Sequence, residues 1–163
     1  GDMLLARTAR GLAGAWFVQG QKDTPSPLID VPDQAKDALL TQAAAQLGDY
    51  WQHRHARFDL PLDLQGTDFQ KAVWQALLAI EPGQQRSYGD IARALNKPQA
   101  ARAVGAAVGR NPLSIIVPCH RVMGRQGQIT GYAGGLDRKT AMLQHEGFQM
   151  HRPGVWTQGD QRV

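Results

Sequence analysis

Residues 87–112, SYGDIARALNKPQAARAVGAAVGRNP, decide how this 163-residue chain folds. Ser87 and Asp90 have the spacing of a capping box, so a helix opens here with Ile91, Ala92 and Leu95 turned inward. Asn96-Lys97-Pro98 breaks it. A second helix follows over about residues 99–108 and is stopped by Gly109 and Asn111-Pro112. Ala100, Ala101, Ala103, Ala106 and Ala107 keep its surface small, and Arg102 projects from among them. Two short helices joined by a tight turn have the layout of a helix-turn-helix, a layout shared by many helical hairpins that never meet DNA.

Charge adds a second argument. The chain carries 18 basic and 14 acidic residues, a net +4. Between residues 86 and 125 stand Arg86, Arg93, Lys97, Arg102, Arg110, Arg121 and Arg125 against Asp90 alone, so this stretch is +6 and the rest is −2. A solvated basic face of no function is one reading of that cluster; a polyanion partner is the other, and the helical pair favours it.

Outward from this stretch, Thr67 and Gln70 form another capping box, and Phe69, Ala72, Val73, Ala76, Leu77 and Ile80 make one apolar helix face that Pro82 ends. Before Gly66 the character differs. Two apolar runs, residues 3–6 and 12–18, flank Arg10-Gly11 and suit a β-hairpin. Residues 19–32 read as a surface loop. Asp33 can cap a helix whose stripe runs Leu39, Ala43, Leu47 and Tyr50, with Trp51 beside it and an end near His53. Phe58, Leu60, Leu62 and Leu64 alternate with polar residues and Pro61, as in a half-buried edge strand. The reading is therefore an α+β chain with a small unit over residues 1–65, a helical unit over 66–150 and a polar tail over 151–163.

Composition excludes several classes. With 42% hydrophobic and 20% charged residues the chain is ordinary globular material, and no apolar run reaches the ~20 residues of a membrane helix. Asp2, Arg7 and Arg10 interrupt the first twenty residues, so no secretory leader is expected and a cytoplasmic protein is. A lone cysteine, Cys119, cannot form an internal disulfide and excludes Cys-rich zinc modules. His53 and His55 lack partners at metal-ligand spacing, so no metal is expected.

Ile115-Ile116-Val117, a buried run between Pro112 and Pro118, delivers Pro118-Cys119-His120-Arg121-Val122. A buried structural thiol is the plain reading of a lone cysteine. A reactive one needs an ionised sulfur and a base or positive field beside it. His120 and Arg121 are candidates, but neighbours on an extended chain point to opposite faces, so a water or a turn must connect Cys119 to His120.

Pro118-Cys119-His120-Arg121-Val122, with Arg102-Ala103-Val104-Gly105 and Asn111-Pro112 before it and Gly131-Tyr132-Ala133-Gly134-Gly135-Leu136 and His145-Glu146-Gly147 after it, closely resembles the O6-alkylguanine-DNA alkyltransferases. The match runs in register over about residues 66–147. The resemblance implies a small N-terminal α/β, ribonuclease H-like domain, followed by a winged-helix or helix-turn-helix-like domain that carries the active-site cysteine. It implies direct-reversal DNA repair: the Cys119 thiolate takes the alkyl group from O6-alkylguanine, and from O4-alkylthymine, irreversibly and once per molecule, with no cofactor. By the same analogy His120 activates Cys119 through a water and Glu146 orients His120. Tyr88 donates to the departing base, and Asn111 holds the turn under the cysteine loop. The Cys119 and Val122 carbonyls accept from the guanine amine, while Ser114, Tyr132 and Ala133 line the alkyl pocket.

The implied partner is double-stranded DNA, met in the minor groove, with the damaged nucleotide flipped out. Arg102 would fill the gap, Ala101, Ala103 and Gly105 would let the helix approach closely, and Tyr88 and Arg110 would contact the strand. A monomer is expected, with cooperative assembly on DNA left open. A damage-sensing DNA-binding protein without alkyl transfer is the alternative, although such proteins typically lack the cysteine. A cysteine hydrolase would need an oxyanion-hole motif, and none is seen.

Overall fold

The computed structural model describes residues 1–22, 24–25 and 36–158. Strands β1 (Met3–Arg7) and β2 (Leu12–Phe17) pair antiparallel, with Met3 opposite Phe17 and an irregularity after Ala6, which is the expected hairpin. Helix α1 (Ala38–Gln52) buries Leu39, Ala43, Leu47 and Tyr50, the predicted stripe. Its cap is Asp37, whose carboxylate accepts from Leu40 N at 2.9 Å and pairs with Arg7; Asp33, the expected cap, lies outside the described residues.

The edge strand expected over residues 58–64 is instead an extended segment joined to β2 by a single parallel bridge, Leu12 to Leu62. Leu12 N donates to Pro61 O and Asp63 N to Leu12 O, both at 2.8 Å. Burial does alternate, with Phe58, Leu60 and Leu62 half-buried against exposed Asp59 and Pro61. The ladder goes no further because Pro61 has no N–H to give. Gly11 allows this approach: a Cβ there would stand 2.6 Å from Pro61 O.

Helix α2 (Asp68–Leu78) opens with both halves of the Thr67/Gln70 capping box and buries Val73, Trp74 and Leu77. A two-residue strand β3 (Arg86–Ser87) leads into helix α3 (Tyr88–Ala94), where both halves of the Ser87/Asp90 box are present. Asn96 turns the chain at φ 57°, and helix α4 (Ala101–Gly109) follows, burying Val104, Ala107 and Val108. Trp74 Nε1 donates to Ala107 O at 2.9 Å and ties α2 to α4. Strand β4 (Val122–Met123) lies parallel to β3, and helix α5 (Leu136–His145) packs beside it.

The polar tail is a correction. Strands β5 (Phe148–Arg152) and β6 (Val155–Gln158) form an antiparallel hairpin, and Phe148 and Trp156, each 3% exposed, bury against Met123 and Leu143 in a small second core. Two adjacent apolar residues, Val155 and Trp156, suffice to fold the segment back once Gly154 turns it at φ 74°. The main core runs from Leu12 and Ala15 in β2 through Tyr50, Trp74, Val104 and Ile115 to Met142, so residues 1–65 and 66–150 share it. Among the described residues no helix is long and apolar enough to cross a membrane.

Candidate active site

The cysteine loop hangs from β2. Ala15 N donates to Pro112 O at 2.8 Å and Ser114 N to Ala15 O at 3.0 Å, so the N-terminal hairpin holds the chain that leads to Cys119. Residues 115–117 are buried, as expected, but turn sharply, and Ile115 sits at φ 73°. A β-branched residue in that region costs about 1–2 kcal/mol. Packing in the core and the bond from Val117 N to Leu113 O at 2.9 Å hold it there. Cys119–Arg121 then form one 3₁₀ turn, not extended chain, so the opposite-faces objection does not apply.

Asn111 organises the loop from beneath. Its Nδ2 donates to Val117 O at 2.8 Å, Leu113 O at 3.3 Å and Cys119 Sγ at 3.1 Å, while Oδ1 accepts from Leu113 N at 2.9 Å. Cys119 is 5% exposed. Burial pushes its thiol up, while the Asn111 amide and the Lys139 charge favour the thiolate.

His120 is fully buried and sets Nε2 at 2.7 Å from Glu146 Oε1. Burial pulls the imidazole below its ordinary value, against the pull of Glu146, and Arg121 and Lys139 act with burial. A neutral imidazole facing a carboxylate carries its proton on Nε2 and leaves Nδ1 as acceptor. Nδ1 has no partner among the described residues. Glu146, at the end of α5, accepts from Arg121 Nε on Oε2 and from Arg121 Nη2 on Oε1, both at 2.8 Å, and from Tyr50 Oη on Oε1 at 2.9 Å. Burial alone raises a carboxyl, but His120 and Arg121 outweigh it and hold Glu146 well below the usual carboxylate range.

On the other side of the loop, Lys139 is 1% exposed and donates to Val122 O at 2.8 Å, with Thr130 O and Oγ1 at 3.4 Å. Burial brings it down to about 8, against the pull of Cys119. Thr130 Oγ1 bonds Tyr88 Oη at 2.6 Å, so Tyr88, Thr130, Lys139 and Val122 form one chain of contacts. Tyr132 buries its hydroxyl without a hydrogen-bond partner among the described residues. Gly134 must be glycine, since a Cβ would meet the Tyr132 ring at 2.8 Å. Ser114 is buried with Oγ 3.3 Å from Gln21 Oε1, and Ala133 is half-buried.

Helix α4 presents Arg102 and Ala103 to solvent, with the exposed Arg110 capping its end, Ala101 and Gly105 half-buried and the Tyr88 ring against Gly105. Arg102 and Arg110 therefore belong to a separate exposed face. Arg121 leaves the basic surface that the sequence suggested and points inward, with Nη1 donating to Ile80 O at 2.6 Å. Sequence reasoning missed Tyr50, Thr130 and Lys139, and it placed Arg121 beside the thiol and not on Glu146. The one available signal was spacing: Lys139, Met142, Leu143 and Glu146 recur at helical intervals on the buried face of α5.

The sequence profile described as "6-O-methylguanine DNA methyltransferase, DNA binding domain" matches residues 68–148. A methylated-DNA–protein-cysteine methyltransferase of Methanosarcina acetivorans is 45% identical over 149 residues, 90% of this chain and 92% of that protein. The chain belongs to the methylated-DNA–protein-cysteine methyltransferase family. The family's Mycobacterium leprae member is 50% identical over 150 residues, covering 92% of this chain and 88% of its own. The crystal structure of the Mycobacterium tuberculosis family member in complex with DNA superposes with a TM-score of 0.76 at 46% identity, over 87% of this chain and 84% of that one. The α+β architecture, a small N-terminal region and a helical DNA-binding domain holding buried Cys119, is the family's.

Proposed function

We infer that this chain repairs DNA by direct reversal, moving the alkyl group of O6-alkylguanine to Cys119. The observation that carries the reading is the placement of the sole cysteine's sulfur on the Asn111 amide, one residue from an imidazole clamped to a buried carboxylate. His120 Nδ1 takes the thiol proton through a water, Glu146 keeps the imidazole in the accepting tautomer, and Asn111 and Lys139 stabilise the thiolate. Sγ bonds to the alkyl carbon, the bond from that carbon to guanine O6 breaks, and the base leaves with its charge met by the Tyr88 hydroxyl. The thioether is stable, so each molecule acts once.

Val122 O accepts from Lys139 and keeps a second lone pair for the guanine amine; Cys119 O, which accepts from Val122 N, does the same. Ser114, Tyr132 and Ala133 form the wall on the alkyl side, and O4-alkylthymine is a second substrate. The chain binds damaged DNA. It does so as a monomer in the cytoplasm, through the minor groove: the small α4 face of Ala101, Ala103 and Gly105 allows close approach, Arg110 adds charge and Arg102 fills the space of the flipped nucleotide.

Incubation with duplex DNA holding one O6-methylguanine should add one methyl mass to the Cys119 peptide, and Cys119→Ser should abolish it. An unmodified wild-type peptide beside intact DNA binding would favour a damage sensor instead.

A further inference from the structure

Tyr50 lies on α1, remote in sequence from the cysteine motif, and no step above uses it. Its side chain is fully buried, and its hydroxyl donates to the one carboxylate oxygen, Glu146 Oε1, that also faces His120 Nε2 at 2.7 Å and Arg121 Nη2 at 2.8 Å. The ring is held on three sides: stacked on Phe58 with centroids 6.0 Å apart, and edge-on to His145 at 5.0 Å and to His120 at 6.5 Å. His145 Nε2 bonds the Tyr50 carbonyl, so backbone and hydroxyl are both anchored to the end of α5. Burial first, and the Glu146 charge second, push the phenol far above its ordinary range, so it stays protonated and acts as a donor.

We propose that Tyr50 is a positioning residue for alkyl transfer: by sharing Oε1 with His120, it sets the orientation and the effective charge that Glu146 presents to the imidazole. The N-terminal unit thereby takes part in the chemistry and is more than a scaffold for it. This rests on His120 being the base.

The titratable and charged groups facing His120 come from its own turn, from α5 and from α1. Arg121, on the same turn, and Lys139, on α5, disfavour an imidazolium, while Glu146, at the end of α5, favours it. Cys119 precedes it, His145 lies behind the Tyr50 ring, and Arg54 is exposed beside Gly147. Tyr50 is the group α1 contributes. An oxygen that accepts three donors has less negative charge to offer each, so removing the Tyr50 hydroxyl returns charge toward His120 and makes the imidazole more basic.

The test is the pH dependence of the methyl-transfer rate constant with O6-methylguanine duplex, read beside a ¹⁵N-histidine NMR titration. Transfer needs neutral His120, so the rate falls on the acid side. Tyr50→Phe should move that acid limb to higher pH by about half a unit or more, with the His120 titration moving alike. A folded Tyr50→Phe protein whose rate changes equally at all pH values, with the limb in place, overturns the proposal and leaves Tyr50 a packing residue. Because Tyr50→Phe can fail to fold, 3-fluorotyrosine placed at position 50 alone provides a second arm. It keeps the shape and strengthens the donor, so the limb should move to lower pH, and no movement or the opposite one overturns the proposal. His120→Ala separates the two levels. If the limb persists without His120, the base reading fails; if it vanishes there yet ignores both changes at position 50, only the role of Tyr50 fails.

Discussion

Cys119 must ionise inside the protein, and burial opposes that, so the donors aimed at the sulfur decide its reactivity. Asn111 is the nearest of them, and its amide also bonds the carbonyls that shape the loop. Asn111→Asp keeps the shape and turns the donating nitrogen into an oxygen whose lone pairs face Sγ and Val117 O. The thiol should ionise at higher pH, seen in its ultraviolet thiolate absorbance, and transfer at neutral pH should slow on the order of 10²-fold, the usual effect of removing one preorganised donor. An unchanged thiolate titration would remove Asn111 from the chemistry. Residues of this kind were legible because the motif names them in a row. The inward pairing of Arg121, and Lys139 altogether, were not, since a sequence shows a cation without showing whether distant acceptors such as Ile80 O, Val122 O and Glu146 will enclose it. Tyr50 was legible as core from its spacing, yet the partner of its hydroxyl lies 96 positions away.

Helix α4 and the β5–β6 hairpin mark the range of what elements reveal about themselves. Capping boxes at Thr67 and Ser87 are local chemistry, complete within four residues, and both appear in the structure as read. The terminal hairpin follows no period, because β5 buries only Phe148 and β6 buries two neighbours at its start, and only Pro153-Gly154 marks the turn. Trp156→Ala should cost about 3–5 kcal/mol in urea unfolding, as for other buried tryptophans, since it opens the core around Met123, the residue after Val122. A loss below 1 kcal/mol would restore the reading of a dispensable tail. For α4 the separation of the exposed Arg102 from the thiol makes a kinetic distinction. Arg102→Ala should slow repair of duplex substrate tenfold or more while leaving reaction with free O6-benzylguanine nearly unchanged, because only the duplex requires a base to be extruded. Equal slowing on both would place Arg102 in the chemical step instead.

The change of character at Gly66 is real along the chain, yet packing crosses it: β2 holds the cysteine loop, α1 reaches Glu146, and one core contains Leu12, Tyr50 and Met142. The buried relay should therefore govern the stability of the whole molecule. His120 is held below its ordinary 6.5 and Glu146 well below its ordinary 4.5. In both cases the unfolded chain binds protons that the native state refuses, so the stability is present above the unfolded value and is lost as pH falls. The half-buried Asp37 and the Asp90 carboxylate, also lowered, act in the same direction. The urea midpoint should be level near neutrality, begin to fall below about pH 6.5 and fall more steeply below about 4.5. Glu146→Gln should flatten the steeper limb, but it also leaves the Arg121 guanidinium buried without a counter-charge and should lower stability at neutral pH by about 3–5 kcal/mol. If that variant keeps the wild-type midpoint at pH 7 and its acid slope, the relay is peripheral to folding, and the shared core alone joins the two halves of the chain.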